Sequence, residues 1–424
     1  MSRFGVLSGS LALMSTLGVA THLLIQQSPD PVTQEPTRVL LSWSSDPARS
    51  ATVSWRTNGA VESAVAQISI ASADPRFVNT ATSVAGTTES VSLTESASAQ
   101  YHKVTFADLQ PETRYSYRVG DGKTWSEWFD FTTTAASAKP LTFIYFGDAQ
   151  NNIKSMWSRV IRQASTDAPH ADFMLHAGDL INIADADNEW GEWFYAGGWL
   201  HSTIPSIAIP GNHEYKSGQL SKFWKPQFEY PRNGVAGLED TCFYIDVQGV
   251  RIIGMNSLEK REEQAAWLDQ VLSNNPNKWT MITFHYPMFS TAKGRDNKAL
   301  RELWMPIIQK HKVDMVLQGH DHTYGRTNVP TGVSTQYAGT MYLVSVSGPK
   351  MYAVGDEAKA SMTRTAQNTQ LYQIINVEGD LLTYKAYTAV GEVYDAFTLR
   401  KTPNGNQLTS APGLPADRSG ALSE

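Results

Sequence analysis

The chain has 424 residues, of which 41 % are hydrophobic and 18 % are charged, so it can bury a substantial core and its length suggests two or three domains. Its formal net charge is −6, which argues against a nucleic-acid-binding protein held by phosphate contacts, because such proteins are usually basic. The single cysteine, Cys242, excludes a disulfide within the chain and is expected to be a small core residue.

The first predicted element is an export signal over residues 1–28. Arg3 is followed by an apolar stretch of small residues that carries no charge until Asp30, and Gly18 and Ala20 fit a signal-peptidase site. The alternative is an uncleaved N-terminal anchor, because apolar residues continue past that site. Both interpretations predict an exported protein that is periplasmic, secreted or anchored, and no stable membrane span is expected after cleavage.

The segment 38–135 is predicted to form an all-β sandwich. Short strands with alternating apolar residues are separated by Gly, Pro, Asp, Asn or Ser, which is typical of sandwich domains. The sequence LQPETRYSYRVGDG at 109–122 resembles the fibronectin type III signature, and Tyr115 would be the corner tyrosine of that fold.

A different pattern begins at residue 140 and predicts an α/β domain that extends to residue 401. Buried strands alternate with helices, and the three predicted helices are 155–166, 261–274 and 300–311. Strands between 339 and 401 are expected to complete the second sheet of this domain. Residues 402–424 are polar, with few large apolar side chains, and are expected to be disordered.

Five short polar motifs follow apolar runs of this α/β domain. They are GDAQ at 147–150, GDLIN at 178–182, GNHE at 211–214, FHYP at 284–287 and GHDH at 319–322. Ligands of α/β folds gather at the carboxyl ends of strands, so the five loops are expected to converge. One such motif is usually a turn, but five in series that carry Asp, Asn and His indicate a metal site.

A pair of divalent metals needs a shared carboxylate and a few further ligands for each ion. Asp179 is the natural bridge, because it closes a strand and precedes a turn. The expected ligands of one ion are Asp148, Asp179 and His322, and those of the other are Asp179, Asn212, His285 and His320.

His213 follows the ligand Asn212, so it lies beside the site without ligating, as a general acid should. Glu214 is the candidate to orient it. His176, within FMLHAGD, is expected to be a core residue, and most aromatic residues of the stretch 189–199 are expected to pack in the core rather than wall the pocket.

The motif series resembles the calcineurin-like metallophosphoesterase superfamily, and the β-sandwich before it resembles the purple acid phosphatases in particular. The resemblance covers residues 38–400 and implies a two-sheet β-sandwich that holds two metals and is flanked by helices. It implies hydrolysis of phosphate esters by a metal-bound hydroxide attacking in line. It assigns the same seven positions: the six ligands above, and His213 as proton donor.

The chain departs from the purple acid phosphatases at several positions. Asn182 replaces the tyrosine that gives those enzymes their colour, so a colourless protein is expected. Gln150 stands where the superfamily often has His and the purple enzymes have Gly. The amide oxygens of Gln150 and Asn182 could ligate a metal weakly, which suits Fe, Mn or Zn. Lys293 and Arg295 replace histidines as candidates for phosphate contact, together with Asn212 and His213, although a solvated basic loop is an equal alternative for the two cations.

The sequence therefore predicts an exported di-metal phosphoesterase that acts on small phosphate monoesters, similar to an acid phosphatase. One alternative is a phosphodiesterase that cleaves nucleotide or lipid-derived diesters. An alternative from another class is an envelope binding protein with a vestigial catalytic domain. The intact set of expected ligands favours the enzyme over the binding protein.

Overall fold

The computed structural model describes residues 34–94, 97–329 and 338–418. The predicted export signal over 1–28 lies outside these residues. Within the described ranges, no helix is both long and apolar enough to cross a membrane.

The N-terminal domain consists of eight strands in two antiparallel sheets. The strands are β1 Thr37–Ser42, β2 Ala51–Thr57, β3 Val65–Ile70, β4 Thr82–Ala85, β5 Thr87–Ser92, β6 Ser98–Phe106, β7 Arg114–Gly120 and β8 Phe129–Thr132. One sheet has the order β1-β2-β6-β5 and the other β4-β3-β7-β8. Alternate residues of the two sheets, such as Trp55 and Tyr117, belong to a shared core. The amide of Gln110 donates to the Tyr115 hydroxyl at 2.9 Å, which fixes the turn before β7.

The second domain contains the remaining strands and all seven α-helices of the described residues. Its strands are β9 Leu141–Phe146, β10 Phe173–His176, β11 Ser206–Ala208, β12 Tyr215–Lys216, β13 Gln219–Leu220, β14 Phe243–Val247, β15 Val250–Gly254, β16 Trp279–Thr283, β17 Met315–Gln318, β18 Tyr324–Val329, β19 Thr340–Val344, β20 Arg364–Ala366, β21 Leu371–Glu378, β22 Leu381–Thr388, β23 Val393–Thr402 and β24 Gly405–Ser410. Its helices are α1 Ser158–Asp167, α2 Asp187–Gly197, α3 Leu200–Thr203, α4 Trp224–Gln227, α5 Arg261–Ser273, α6 Lys298–Lys310 and α7 Asp356–Ser361.

Two seven-stranded mixed sheets form the body of this domain. Sheet I has the order β11-β10-β9-β21-β22-β23-β24, and sheet II has the order β14-β15-β16-β17-β19-β18-β20. Buried residues of both sheets, such as Phe143 of β9 and Met281 of β16, belong to one core cluster. Their neighbours on sheet II, such as Ile282, face the opposite side and pack with Leu268 of α5 and Trp304 of α6. Because both faces of these strands are buried, their sequences are continuous runs of apolar residues.

The architecture confirms the predicted fold class, an N-terminal all-β domain followed by a two-sheet domain with flanking helices. The three predicted helices correspond to α1, α5 and α6. A π-helical turn, Ile153–Trp157, precedes α1. Helix α2 was not predicted from the sequence. Cys242 is buried, as expected for a core residue, and burial raises the pKa of its thiol to about 12.

Two expectations about the C-terminal part are wrong. The strands from Leu371 onward do not complete sheet II. Instead, β21 pairs antiparallel with β9, so β21–β24 extend sheet I, because both faces of β21 are buried and the open edge of β9 supplies its partner. Residues 402–418 are also not disordered, since β24 pairs with β23 and residue 418 forms a bridge with residue 366. Residues 419–424 lie outside the described part of the chain.

Polar contacts and a shared core join the two domains. Arg38 and Arg56 both bind the carboxylate of Asp187 at the start of α2, each at 2.7 Å. Lys103 pairs with Glu229 at 2.6 Å. Side chains of β1 and its neighbours, including Leu40, Trp43 and Tyr101, belong to the same core cluster as the strands of sheet I.

Candidate metal centre

Each of the five motifs begins within three residues of the end of a strand. Asp148, Asp179 and Asn212 come after the parallel strands β9, β10 and β11 of sheet I, and His285 and the pair His320/His322 come after the parallel strands β16 and β17 of sheet II. The carboxyl ends of both sheets therefore supply the site, as the sequence predicts.

The backbone at the site is held in an unusual conformation. Asp148, Asp179, His320 and His322 have φ values of 39°, 51°, 76° and 49°, which non-glycine residues rarely adopt. Position 211 of the GNHE motif requires glycine, because the Cβ of any other residue would lie 2.2 Å from Asp179 Oδ1. The strain turns these polar side chains towards one another at the strand ends.

The first group of possible ligands is Asp179, His285 and His320, whose ligand atoms all lie within 4.8 Å of one another. His285 Nε2 lies 3.1 Å from Asp179 Oδ2 and 3.2 Å from His320 Nδ1. Asn212 Oδ1 is 3.2 Å from the same nitrogen. His285 Nδ1 lies 2.8 Å from the carbonyl oxygen of Ala177, so Nδ1 is the donor and Nε2 carries the lone pair that faces the group.

The second group is Asp148, Asp179 and His322, again with ligand atoms within 4.8 Å of one another. His322 Nε2 lies 4.0 Å from Asp148 Oδ1. The backbone amide of His320 donates to both oxygens of Asp148, at 2.9 and 2.7 Å, which fixes the carboxylate beside the GHDH loop. Asp179 is common to both groups and occupies the position of a bridging ligand.

The donor atoms fit two cations. His285 Nε2 is surrounded by a carboxylate oxygen, an amide oxygen and one further imidazole nitrogen. These atoms all accept hydrogen bonds, so a positive charge between them would be stabilising. Gln150 Nε2 lies 3.0 Å from Asp179 Oδ2 and 2.9 Å from His322 Nε2, and its buried Oε1 has no partner among the described residues. Rotating this amide by 180° directs Oε1 into the second group.

The electrostatics of the two groups favour a bound positive charge. Burial raises the pKa of Asp148 well above its usual value, and the charge of Asp179 raises it further. Burial opposes protonation of His285, but the carboxylates of Asp179 and Asp148 raise its pKa to about 9. The carboxylates around His285 therefore favour a positive charge at this position, which a bound cation would supply.

His213 is half-buried and anchored at both ends. Its backbone amide donates to Asp179 Oδ1 at 2.9 Å, and its Nδ1 lies 2.6 Å from the carbonyl oxygen of Asn182. Nδ1 is therefore the donor to that carbonyl, and Nε2 is the nitrogen left for a substrate.

The prediction that Glu214 orients His213 is wrong. Its carboxylate accepts from the amides of Asp179 and Leu180 at 2.9 and 2.7 Å, so Glu214 holds the loop of the shared ligand rather than His213.

Asn182 lies beside the two groups. Its side-chain oxygen accepts a hydrogen bond from Asn151 Nδ2 at 3.1 Å, and its backbone amide donates to Glu189 Oε2 at 2.6 Å. The side-chain oxygen of Asn182 is therefore occupied by the hydrogen bond from Asn151. Of the two amides proposed as weak metal ligands, Gln150 is better placed.

Of the two cations proposed for phosphate contact, Arg295 lies nearer the site. Its Nη1 donates to the carbonyl oxygen of His320 at 2.7 Å, and its guanidinium lies 4.8 Å from the ring centre of Tyr352. Lys293 is exposed, with its backbone amide bonded to the carbonyl of Ala353. The sequence reasoning missed Lys350, whose Nζ lies 5.4 Å from the same Tyr352 ring.

Tyr352 connects these cations to the metal groups. Its ring packs edge-on against His322 with centroids 5.0 Å apart. Lys350 and Tyr352 follow β19, which pairs parallel with β17. The same strand-end rule that identifies the five motifs would have identified them, but SGPKMY contains no Asp, Asn or His to draw attention.

The remaining aromatic residues near the site are mostly core. His176 is buried and packs against Trp193 with ring centroids 5.4 Å apart, as expected for a structural histidine. Within the stretch 189–199, Trp190, Trp193 and Phe194 are buried, whereas Tyr195 and Trp199 are 58 % and 64 % exposed.

Comparison with known proteins agrees with this geometry. Residues 36–133 match the family described as "Purple acid Phosphatase, N-terminal domain", and residues 141–324 match the family described as "Calcineurin-like phosphoesterase". Residues 141–324 of the chain are thus similar to the calcineurin-like phosphoesterases. This match contains all five motifs, so every expected ligand falls within it.

Its similar relatives include plant proteins. Purple acid phosphatase 21 of Arabidopsis thaliana is 26 % identical over 265 residues, which cover 59 % of each chain. Fe(3+)-Zn(2+) purple acid phosphatase 12 of the same plant is 26 % identical over 255 residues, 54 % of this chain and 53 % of the relative. The aligned part of the chain thus spans about half to three-fifths of these relatives.

Solved structures support the fold at low sequence identity. The purple acid phosphatase PPD1 from yellow lupin (Lupinus luteus) seeds superposes with a TM-score of 0.75 at 16 % identity, over 88 % of this chain and 75 % of its own. A structure of PhoD superposes with a TM-score of 0.66 at 12 % identity, over 92 % of this chain and 95 % of its own.

Proposed function

We propose that this protein hydrolyses small phosphate monoesters with two divalent metal ions, drawn from Fe, Mn and Zn. The observation that carries the proposal is the sharing of Asp179 by two groups of ligand atoms, each contained within 4.8 Å. Two cations in these groups would supply positive charge for the phosphoryl oxygens and would lower the pKa of a water molecule. The plant relatives named for purple acid phosphatase activity support the same reaction class.

The side chains have distinct roles in this proposal. Asp148, Asp179 and His322 hold one ion, with Gln150 as a further ligand after its amide is rotated. Asp179, Asn212, His285 and His320 hold the other. His213 donates a proton from Nε2 to the leaving oxygen, because its Nδ1 is committed to the carbonyl of Asn182 at 2.6 Å.

The positive side chains on the Tyr352 side favour a monoester. Arg295 and Lys350 lie on the ring of Tyr352, which itself contacts His322. A monoester dianion carries one more negative charge than a diester, so it gains more from these two cations. Phosphodiester hydrolysis is the second candidate and is separated by the choice of substrate.

A test uses the native chain and Asp179→Ala with Mn²⁺, Zn²⁺ or Fe²⁺ added. We expect the native chain to bind two metal ions per chain and to cleave 4-nitrophenyl phosphate faster than bis(4-nitrophenyl) phosphate. We expect Asp179→Ala to lose both metals and at least about 10³-fold in kcat. The exposed Asp108→Asn is a matched control and should behave as the native chain.

Each other outcome has a definite meaning. Faster cleavage of the diester would replace the monoesterase with a phosphodiesterase. Metal binding without hydrolysis of either ester would favour the vestigial binding protein. Activity that persists in Asp179→Ala would overturn the shared-ligand assignment.

We also propose that the chain is exported, on the basis of its charge-free stretch between Arg3 and Asp30. Fractionation of the producing cells and N-terminal sequencing of the mature protein test this. A start near residue 21 to 28 in the exported fraction supports a cleaved signal, an intact N-terminus in the membrane fraction supports an anchor, and recovery in the cytoplasm would overturn export.

A further inference from the structure

A cleft of about 680 Å³ opens beside the metal centre, between the loop that follows β9 and helix α2. Its lining includes Asn151, Asn152 and Lys154 from the loop side, and Asn188, Glu192 and Tyr195 from α2. The volume falls in the range of small-molecule sites in proteins. None of these six residues takes part in the two groups of possible metal ligands.

The cleft is connected to the candidate proton donor through one residue. Asn151 in the cleft wall donates to the side-chain oxygen of Asn182 at 3.1 Å, and the carbonyl of Asn182 lies 2.6 Å from His213 Nδ1. Glu189, also in the wall, accepts from the amide of Asn182 at 2.6 Å. Asn151 also directly follows Gln150, a candidate ligand of the second group, so one wall of the cleft begins next to the metal centre.

The loop that forms one wall has the strained geometry that is common at functional sites. Asn151 and Asn152 are consecutive left-handed residues with φ values of 67° and 48°. A π-helical turn follows at Ile153–Trp157. Its buried residues Ile153 and Trp157 anchor the turn in the core, so the two asparagines are presented from a fixed base.

The chemistry of the lining selects among ligands. Side-chain amides, hydroxyls and charges of both signs surround one exposed aromatic ring, Tyr195, which is 58 % exposed and has Lys154 Nζ 4.5 Å from its ring centre. The carboxylates of Glu189 and Glu192 balance the lining cations Lys154 and Arg162, so the cleft carries no net charge that would attract an extended polyanion. A large apolar group would leave the amides unpaired. Amides together with an aromatic ring match a compound with several hydroxyls and small apolar faces.

We propose that this cleft binds the leaving group of the substrate, and that the leaving group is a polyhydroxylated alcohol of the size of a monosaccharide. This inference rests on the proposed phosphomonoesterase function and specifies its substrate class. Tyr195 and Asn188 on α2 would contact the sugar, while the phosphate lies at the metal centre.

The experiment compares a hexose 6-phosphate with ethyl phosphate, which has a similar leaving-group chemistry but no further hydroxyls. We expect the native protein, with its metals, to prefer the hexose phosphate at least about tenfold in kcat/KM. Tyr195→Ala should lower kcat/KM for the hexose phosphate about five- to tenfold and leave ethyl phosphate within about twofold. Trp199→Ala removes an equally exposed aromatic residue of the same region that does not line the cleft, and should change neither.

Equal values for the two esters in the native protein, or parallel losses in Tyr195→Ala, would overturn the inference. Calorimetric binding of hexose 6-phosphate and ethyl phosphate to the metal-loaded His213→Gln and native proteins separates this result from failure of the proposed function. A protein that hydrolyses neither ester but binds the hexose phosphate more tightly, and loses that difference in Tyr195→Ala, refutes the phosphatase and supports the cleft. A protein that shows no difference in binding refutes the cleft.

Discussion

Glu214 Oε2 accepts a hydrogen bond from the backbone amide of Asp179 at 2.9 Å. The same oxygen accepts from the amide of Gly211 at 2.7 Å, and the other oxygen accepts from Leu180 at 2.7 Å. A fully buried carboxylate thus joins the GDLIN loop to the GNHE loop and fixes the residue that both ligand groups share. Such supporting contacts strengthen metal binding because they hold the ligands in place before the metal arrives.

We predict that Glu214→Gln weakens metal binding roughly 10–100-fold, because a side-chain amide has one acceptor atom fewer for these backbone donors. Metal affinity is measured by competition with a chelator, and circular dichroism checks that the fold is kept. Glu378→Gln, at an exposed strand end, is the matched control. Unchanged affinity in Glu214→Gln would show that the loops hold their shape without this carboxylate.

A second prediction concerns Glu189, which accepts from the amides of Asn182 and Ile183 at 2.6 and 2.8 Å. Because Asn182 orients His213, removing Glu189 should disturb proton donation to the leaving oxygen. We expect Glu189→Ala to lower kcat for ethyl phosphate roughly tenfold and that for 4-nitrophenyl phosphate less than about twofold, since nitrophenolate leaves without a proton.

His213→Gln should show the same dependence on the leaving group, with a larger loss for ethyl phosphate. The exposed Glu357→Gln serves as control. A uniform decrease for both esters in Glu189→Ala would indicate a general loss of folded protein or metal instead of a misplaced acid.

The roles of these two glutamates could not be predicted from the sequence, unlike the positions of the candidate ligands. The seven matched positions were accessible because each follows an apolar run, and parallel strands bring such ends together. The hydrogen-bond partners of Glu214 and Glu189 are backbone amides. The direction of a backbone amide depends on the loop conformation, so these contacts produce no recognisable pattern of residue types in the sequence. The pairing of β21 with β9 was equally hidden, since it joins residues such as Ile375 and Phe143 that are far apart in sequence.

A third prediction concerns colour. Asn182 has an amide where purple acid phosphatases carry the tyrosine that binds ferric iron, and its oxygen here accepts from Asn151. We expect the iron-loaded native protein to lack a visible charge-transfer band and Asn182→Tyr to gain one. Asn182→Phe, which has the ring without the phenol oxygen, should stay colourless. A band in the native protein or in the Phe variant would mean that another group binds ferric iron.

The fourth prediction concerns acid stability. His102 is fully buried, with its ring nitrogens 3.0 and 2.9 Å from the hydroxyls of Thr57 and Thr88. Burial lowers its pKa to about 4, below the value of about 6.5 in an unfolded chain. The unfolded chain therefore binds the proton more readily, so the stability contributed above pH 6.5 is lost as the pH falls towards 4, by at most about 1.4 kcal/mol per pH unit.

We expect the free energy of unfolding in urea to fall less steeply between pH 6.5 and 4 in His102→Gln than in the native protein. His170→Gln, which replaces an exposed histidine, should keep the native slope. Equal slopes in the native protein and His102→Gln would show that His102 takes up its proton as readily in the folded state as in the unfolded chain.

The paired arginines on Asp187 make the two domains inseparable in practice. Arg56 is 2 % exposed, and a chain started at residue 140 would remove it together with Arg38, leaving the start of α2 without its cations. The same cut would expose the surface of sheet I that packs against Leu40, Trp43 and Tyr101. Helix α2 carries Glu189 and one wall of the cleft. Removing the N-terminal domain would therefore disturb the candidate site by destabilising α2, although α2 itself would remain in the shortened chain. The N-terminal β-domain is therefore part of the scaffold of the catalytic site, and swapping it between relatives should require exchanging the facing side of α2 as well.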